Sequence, residues 1–185
     1  MTRIILIRHG DDEGTSSVSS PSRSHRDDPH ITMKSSKMAR QLGNYLIEKY
    51  GYPTSIISSP MKRSRLTAAS LAKSIDVDER CPITIDARYS RYFTRKERIN
   101  PSLNESTQLH LDVHEGKDRF RERIEDISVH LRNLPSGTVW IVTHALILKK
   151  LSKIYKFEVP EHINFLWHIR LSPSKIKEKG SSPAI

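Results

Sequence analysis

Short apolar runs alternate with segments of helical period along most of this chain. The first run, residues 4–7, is mostly β-branched, which is typical of a strand buried on both faces. Comparable runs lie at residues 55–58, 83–85 and 138–142, and a last one lies near residues 164–171. The pattern predicts five short strands separated by longer elements.

The segments between these runs have the spacing of amphipathic helices. Thr32 is placed to cap a first helix that ends near Gly51. Its apolar positions follow the helical period: Met38, Leu42, Tyr45 and Leu46. A second helix is predicted over about residues 62–74 and a fourth over about 145–155. The third repeats apolar residues at spacings of four, three and four: Phe120, Ile124, Ile127 and Leu131. Strands alternating with helices predict a three-layer α/β/α sandwich with a mostly parallel central sheet.

Two stretches lack any apolar period. Residues 11–29 are rich in Ser, Asp and Arg and predict a long loop, which at that length is more typical of a binding flap than of a plain linker. Residues 88–116 are basic and polar and predict an inserted loop region with a short helix at most. We therefore expect one domain over residues 1–172 and a flexible tail over 173–185.

Composition narrows the class of protein. Cys81 is the single cysteine of the 185 residues, which fits a reducing compartment, and no apolar run is long enough for a signal peptide or a membrane span. We expect a cytoplasmic protein without a membrane partner. The net charge of +10 favours an anionic partner. Aromatic residues make up only 6% of the chain and no stacking motif occurs, so a phosphorylated substrate is favoured over nucleic acid.

Candidate chemistry lies where three of the predicted strands end. Arg8 and His9 follow the first strand, Arg63 opens the helix after the second, and His144 opens the helix after the fourth. The carboxyl ends of parallel strands form one edge of a sheet, where ligands bind. Singly, each residue could serve a salt bridge or a helix start. Together, two guanidinium groups and two imidazoles suit a phosphoryl group, and Gly10 allows close approach of the backbone.

These residues lie in segments that resemble a known family. The segments are residues 7–10, 28–32, 58–63 with 67–68, and 142–145, and a further match is formed by Glu115, Phe120 and Arg123. They follow the family's order across residues 4–150. The chain resembles the histidine phosphatase superfamily, in its phosphoglycerate-mutase-like branch (branch 1).

The resemblance implies a role for each residue. His9 is the expected nucleophile and becomes phosphohistidine, while Arg8 and Arg63 bind the phosphoryl oxygens. His144 completes the pocket and stabilises the transition state. Positive neighbours are expected to keep His9 neutral and therefore nucleophilic. No cofactor is implied.

Other positions are weaker candidates. Gly10, Thr15 and Arg91 are expected to contact the substrate, with Thr15 standing where mutases carry asparagine. His110 and His114 have the spacing of helical metal ligands, but the sequence offers no third ligand, and no metal site is expected.

The departures from the family pattern bear on the substrate. The family's general acid is a glutamate after the third strand, and here residues 86–91 align so that Arg91 stands in its place. Glu97, Glu105 or Asp12 could supply an acid instead. The first helix also has Ser35 in place of the family's glycine and Met38 in place of its glutamine.

We therefore expect a metal-independent phosphatase rather than a mutase, acting on a phosphorylated small molecule or a phosphoprotein and favouring good leaving groups. Two alternatives remain. One is a catalytically weak or inactive module that binds phosphate or phosphoproteins, and the other, suggested by charge alone, is a nucleic-acid-binding protein.

Overall fold

The structure is a computed structural model that describes residues 2–13, 28–75, 81–94, 97–99, 111–171 and 174. Its strands are β1 (Thr2–Arg8), β2 (Ser55–Ser58), β3 (Ile83–Ile85), β4 (Glu97–Ile99), β5 (Leu111–Val113), β6 (Gly137–Thr143) and β7 (His168–Leu171). Its helices are α1 (Met33–Tyr50), α2 (Lys62–Ala72), α3 (Lys117–Arg132) and α4 (Ala145–Tyr155), and a 3₁₀ turn spans Ala87–Tyr89. None of these helices is long and apolar enough to cross a membrane.

Five strands form the central sheet in the order β3-β2-β6-β1-β7. Neighbouring strands are parallel except that the edge strand β7 runs antiparallel to β1. Strands β1 and β6 occupy the middle, and their apolar residues are buried on both faces, as the continuous apolar runs predict. The predicted α/β fold with a mostly parallel sheet is confirmed.

Helices cover both faces of this sheet. Ile4 and Leu6 of β1 point into a core shared with α3 and α4. The alternate residues Ile5 and Ile7 point into a second core, shared with α1 and α2. The two-residue repeat of β1 therefore supplies both cores, and the result is a three-layer sandwich.

The buried face of α1 differs from the predicted one. Met38 and Tyr45 are 45% and 42% exposed, whereas the helix buries Ser35, Ala39, Gly43 and Leu46. Close packing against α2 explains the difference, because a Cβ at Gly43 would lie only 2.9 Å from the carbonyl oxygen of Leu71. A helix that approaches its neighbour this closely needs small side chains, not large apolar ones.

Residues 88–116 also contain more structure than an inserted loop. The 3₁₀ turn begins after Asp86, whose side chain accepts a hydrogen bond from the backbone of Arg88, and β4 pairs antiparallel with β5. Each of these two strands is three residues long and carries a charged residue. Such strands are too short to show an alternating pattern in sequence. The proposed flap residues 14–27 and nearly all of the expected tail lie outside the described residues, so the domain limits stay a prediction.

Candidate active site

Three adjacent strand ends form the candidate site. Strand β6 lies between β1 and β2, and two backbone hydrogen bonds extend this pairing beyond the strands. The His9 amide donates to the Thr143 carbonyl at 3.0 Å, and the Ser59 amide donates to the Val142 carbonyl at 3.0 Å. Consequently the rings of His9 and His144 lie with their centroids 5.0 Å apart. Both predicted histidines are at the same edge of the sheet.

His9 has one ring nitrogen held by the backbone. Its Nδ1 lies 2.8 Å from the Gly10 carbonyl oxygen. Because a carbonyl only accepts hydrogen bonds, Nδ1 carries the proton and Nε2 keeps its lone pair. The ring is 5% exposed, and burial, more than any neighbour, lowers the pKa of His9 to about 3. Arg63 and Arg8 lower this pKa further, as expected of positive neighbours, and desolvation is the larger cause.

Gly10 lies close to the side chain of Ser35. A Cβ at this position would overlap the Ser35 hydroxyl of α1. The Gly10 amide donates to Oγ1 of Thr67 at 2.9 Å, and the same hydroxyl donates to the Arg63 carbonyl at 2.7 Å. Thr67 therefore connects the backbone beside His9 to the turn of α2 that carries Arg63.

The guanidinium of Arg63 lies between two carboxylates. Its Nε is 3.9 Å from Asp12, and its Nη1 is 3.6 Å from Asp28. Asp28 also accepts a hydrogen bond from the backbone amide of Lys62, at the N-terminus of α2. Burial raises the pKa of Asp28, although this hydrogen bond and Arg63 act in the opposite direction. The acidic pair orients Arg63 and offsets part of its charge.

Arg8, next to His9 in the chain, is half-buried. Its guanidinium lies over the Phe165 ring at 4.1 Å, and its Nη1 donates to the Ile163 carbonyl. The Nε of Arg8 is buried and has no hydrogen-bond partner among the described residues. A buried donor of this kind is costly unless a ligand satisfies it. Phe165 also lies 5.8 Å from the His9 ring and so contacts both predicted residues.

His144 precedes the first residue of α4 and is 4% exposed. Its Nε2 lies 2.8 Å from Oγ of Ser59 and 3.5 Å from Oγ of Ser64. Burial lowers the pKa of His144 well below its usual value, and His9 and Arg63 lower it further. The ring is therefore neutral at physiological pH and has one donor nitrogen. The first backbone amides of α4 add a further preference for anions at this position.

Arg91, at the expected position of the general acid, belongs to a segment in which a side chain of α3 bonds three carbonyl oxygens. Arg123 donates to the carbonyl oxygens of Arg88, Ser90 and Arg91 at 2.6, 2.8 and 3.2 Å. The same guanidinium makes a bidentate ion pair with Glu115 at 2.7 and 2.6 Å. Arg91 is half-buried, and its positive charge acts on both His144 and Asp28. The structure thus places Arg91 near the site.

The remaining sequence candidates differ in how far the structure describes them. Thr15 and Glu105 lie outside the described residues, and so does the side chain of Glu97. Asp12 lies against Arg63, as described above. His114 is exposed, and within the described ranges no group of three His, Cys, Asp or Glu residues lies close enough to hold a metal ion.

Five residues of this neighbourhood were not singled out as functional from the sequence. They are Asp28, Ser59, Ser64, Thr67 and Arg123. All but Ser64 belong to the segments or single residues that carry the family resemblance. In sequence, however, nothing distinguishes a serine that contacts a distant histidine from any other serine. Ser59 and His144 are separated by 85 positions.

Comparison with known proteins places the fold and the family. The model of the histidine phosphatase superfamily (branch 1) matches residues 4–176. No curated protein sequence matches significantly. Among solved structures, the protein histidine phosphatase SixA complexed with tungstate aligns over 89% of this chain and 83% of its own, with 14% identity and a TM-score of 0.55.

Two further structures are similar in fold. Ecdysone phosphate phosphatase from Bombix mori, in complex with tungstate, aligns over 92% of this chain and 88% of its own, with 12% identity and a TM-score of 0.66. Mycobacterial glucosyl-3-phosphoglycerate phosphatase, in complex with VO3, aligns over 92% and 90%, with 15% identity and a TM-score of 0.59. At these identities the structures support the fold, and the match over nearly the whole chain shows the family. The chain belongs to branch 1 of the histidine phosphatase superfamily.

Proposed function

We propose that this protein is a phosphatase that hydrolyses phosphomonoesters or related phosphoryl groups through a phosphohistidine intermediate at His9. The observation that carries the proposal is the hydrogen bond from Nδ1 of His9 to the Gly10 carbonyl, which leaves a lone pair on Nε2. Membership in the family supports phosphatase activity of this type. The low pKa of His9 keeps that lone pair available over the physiological range.

In the first step, the lone pair on Nε2 of His9 forms a bond to phosphorus. The bond from phosphorus to the leaving oxygen breaks, and that oxygen keeps the bonding electrons. Arg8 and Arg63 hold the phosphoryl oxygens, and His144 donates a hydrogen bond to them. Such preorganised donors stabilise the charge that builds up in the transition state.

In the second step, the oxygen of a water molecule forms a bond to phosphorus and the bond to Nε2 breaks. The electron pair returns to His9, a proton of the water passes to phosphate or solvent, and inorganic phosphate leaves. Since Arg8 and Arg63 supply the positive charge that this transfer needs, we propose that the reaction is metal-independent.

The finer proposal concerns the leaving group. A general acid contributes about 10²–10⁴-fold by protonating a departing oxygen, and a guanidinium effectively never gives up its proton. With Arg91 at the acid position, aryl phosphates, phosphohistidine and anhydrides are hydrolysed faster than alkyl monoesters. The class of substrate is a phosphorylated small molecule or a phosphoprotein, and its expected compartment is the cytoplasm.

Two measurements test this function. Rapid quenching of wild type with p-nitrophenyl phosphate labelled in its phosphoryl group gives an acid-labile, base-stable label at His9. His9→Ala gives no label and no turnover, and a chelator leaves the wild-type rate unchanged. Full turnover in His9→Ala, or complete inhibition by the chelator, contradicts the mechanism.

The leaving-group proposal is tested separately. We expect kcat/KM for p-nitrophenyl phosphate to exceed that for a simple alkyl phosphate by at least about 10²-fold. Equal values, together with a basic pH limb that disappears in Glu97→Gln or Glu105→Gln, would show that a carboxylic acid serves the reaction.

A second candidate function is a module that binds phosphate or phosphoproteins without turning them over. The observation in its favour is the placement of Arg91, since a third arginine close to the site favours retention of an anion. If this candidate is right, the wild-type protein binds tungstate but forms no phosphohistidine. The same labelling experiment therefore decides between the two functions.

A further inference from the structure

The hydrogen bonds of Ser59 determine which nitrogen of His144 is free to meet a phosphoryl oxygen. Ser59 is fully buried, and its Oγ lies 2.8 Å from Nε2 of His144. The Oγ of Ser64 lies 3.5 Å from the same nitrogen. Among the described residues no hydrogen bond involves Nδ1 of His144. Nδ1 is therefore the ring nitrogen that remains for a ligand.

A neutral imidazole has one N–H and one lone pair, so its tautomer matters here. If Nε2 carried the proton, Nδ1 would present a lone pair to an anionic phosphoryl oxygen, which is repulsive. If Nδ1 carries the proton, it donates to that oxygen and Nε2 accepts from a hydroxyl. Only the second arrangement stabilises a phosphoryl group.

The surroundings of Ser59 favour the second arrangement. The Met61 amide donates to Oγ of Ser59 at 3.3 Å, which uses one acceptor position of that hydroxyl. The single hydroxyl proton of Ser59 is then directed to a different neighbour, and Nε2 of His144 lies at hydrogen-bond distance. Nothing comparable holds Nδ1 within the part of the chain that the structure describes.

We propose that Ser59 is a positioning residue that donates its hydroxyl proton to Nε2 of His144 and so fixes His144 as the Nδ1–H tautomer. The inference rests on the proposed function, in which His144 donates to the phosphoryl group. Ser59 itself does not touch the substrate. It acts by keeping the one N–H of the neutral ring on the side where the phosphoryl oxygens bind.

The first test reads the tautomer directly and needs no substrate. Long-range ¹H–¹⁵N spectra of the full chain with ¹⁵N-labelled histidine distinguish Nδ1–H from Nε2–H, and His144→Gln identifies the resonance. We expect Nδ1–H in the wild type and a shift toward Nε2–H in Ser59→Ala. A wild-type His144 that carries its proton on Nε2 overturns the inference whether or not the variant folds. An unchanged tautomer in folded Ser59→Ala also overturns it.

Ser58→Ala is the matched control. Ser58 is the neighbouring serine, is equally buried, and donates its hydroxyl to the Ser59 carbonyl rather than to His144. The control variant removes the same number of atoms from the same part of the core. We expect it to leave the His144 tautomer and the rate of His9 phosphorylation close to the wild-type values.

The second test is kinetic and separates this inference from the proposed function. In single-turnover experiments, Ser59→Ala slows phosphorylation of His9 by roughly 10- to 100-fold with little change in KM, the size typical of losing a hydrogen bond that orients a functional histidine. Equal rates in Ser59→Ala and wild type overturn the inference while leaving the phosphatase proposal intact. Absence of a phosphoenzyme in the wild type overturns the phosphatase proposal and leaves the tautomer result standing.

Discussion

The two sides of the site are built in different ways. On one side, His9 and His144 directly follow β1 and β6, and Arg63 lies in the first turn of α2, which follows β2; we call these three residues the phosphoryl side. On the other side, residues 86–91, the leaving-group side, follow the short edge strand β3 and are held to α3 through Arg123. Backbone pairing positions the first, whereas beyond Asp86 side chains hold the second, with Thr143 bonding the Tyr89 carbonyl and Arg123 those of its neighbours.

This difference indicates which residues of the site can be substituted without disturbing the central sheet. A residue moved on the phosphoryl side displaces β1, β2 or β6, which are buried in the middle of the sheet. On the leaving-group side, residues such as Arg91 can change without disturbing any strand pairing. Arg91, which is expected to stand where the family carries a glutamate, lies on this second side.

The largest expected effect comes from removing the support of the leaving-group side. Arg123 and Glu115 are 15% and 11% exposed, and breaking a buried pair costs about 3–5 kcal/mol because the remaining charge is left uncompensated. We expect Arg123→Met to lower the free energy of unfolding in urea by this amount. Arg121→Met removes an exposed ion pair with Asp118 from the same helix and should change it little. Equal losses of unfolding free energy in the two variants would show that Arg123 does not stabilise residues 86–91 through a buried ion pair.

A slightly smaller effect is expected on the phosphoryl side. Arg63→Ala removes a preorganised donor and should lower kcat/KM by about 10²–10³-fold. Because Arg63 is proposed to hold the phosphoryl group and not the leaving group, the loss should be the same for aryl and alkyl phosphates. A loss of kcat/KM confined to one class of leaving group would show that Arg63 belongs to the leaving-group side. Arg40→Ala, on the exposed face of α1, is the control.

The buried state of His9 makes the phosphoryl side sensitive to acid. Its pKa is about 3 in the folded protein and about 6.5 in the unfolded chain, so the unfolded state binds more protons as pH falls. The stability contributed by neutral His9 is present above pH 6.5 and is lost as pH falls toward 3. Between pH 6.5 and 5 this loss is up to about 2 kcal/mol. Urea unfolding of wild type and His9→Asn at both pH values measures this loss. If the free energy of unfolding changes equally with pH in the two proteins, the prediction is contradicted.

The smallest expected effect concerns Arg91 itself. We expect Arg91→Ala to lower kcat/KM by about tenfold for a substrate that carries a second negative charge, since a hydrogen bond to a charged group is lost. For p-nitrophenyl phosphate the change should be small, and added salt should weaken the contrast. Equal losses on both substrates would mean that Arg91 contacts the phosphoryl group and belongs with Arg63.

The sequence was sufficient to predict the strands that end at the site and the residues that follow them. Continuous apolar runs identify buried strands, and parallel pairing brings their ends together. These two rules were enough to predict that one edge of the sheet carries Arg8, His9, Arg63 and His144. Their catalytic roles stay predictions. Element type was also predicted for all four helices.

What the sequence could not predict depends on side-chain packing between distant segments. The contact of Ser59 with His144 and the hydrogen bonds of Arg123 to residues 88–91 have no periodic signal. The exposed positions of Met38 and Tyr45 were missed because the closeness of α1 to α2, not the apolar period, determines which face is buried. Desolvation of His9 is likewise a property of the assembled core.

The contact between Gly10 and α1 limits how this sequence can diverge. A Cβ at position 10 would overlap the Ser35 hydroxyl and lie 3.2 Å from the Ser35 Cβ, so shortening Ser35 to alanine relieves only part of the crowding. Positions 10 and 35 therefore constrain each other, because an alanine at position 10 requires that the Ser35 hydroxyl be removed or turned away and that the Ser35 Cβ shift by a few tenths of an ångström. In a library that randomises both positions, survivors that carry Gly10→Ala should carry glycine or alanine at position 35 more often than serine.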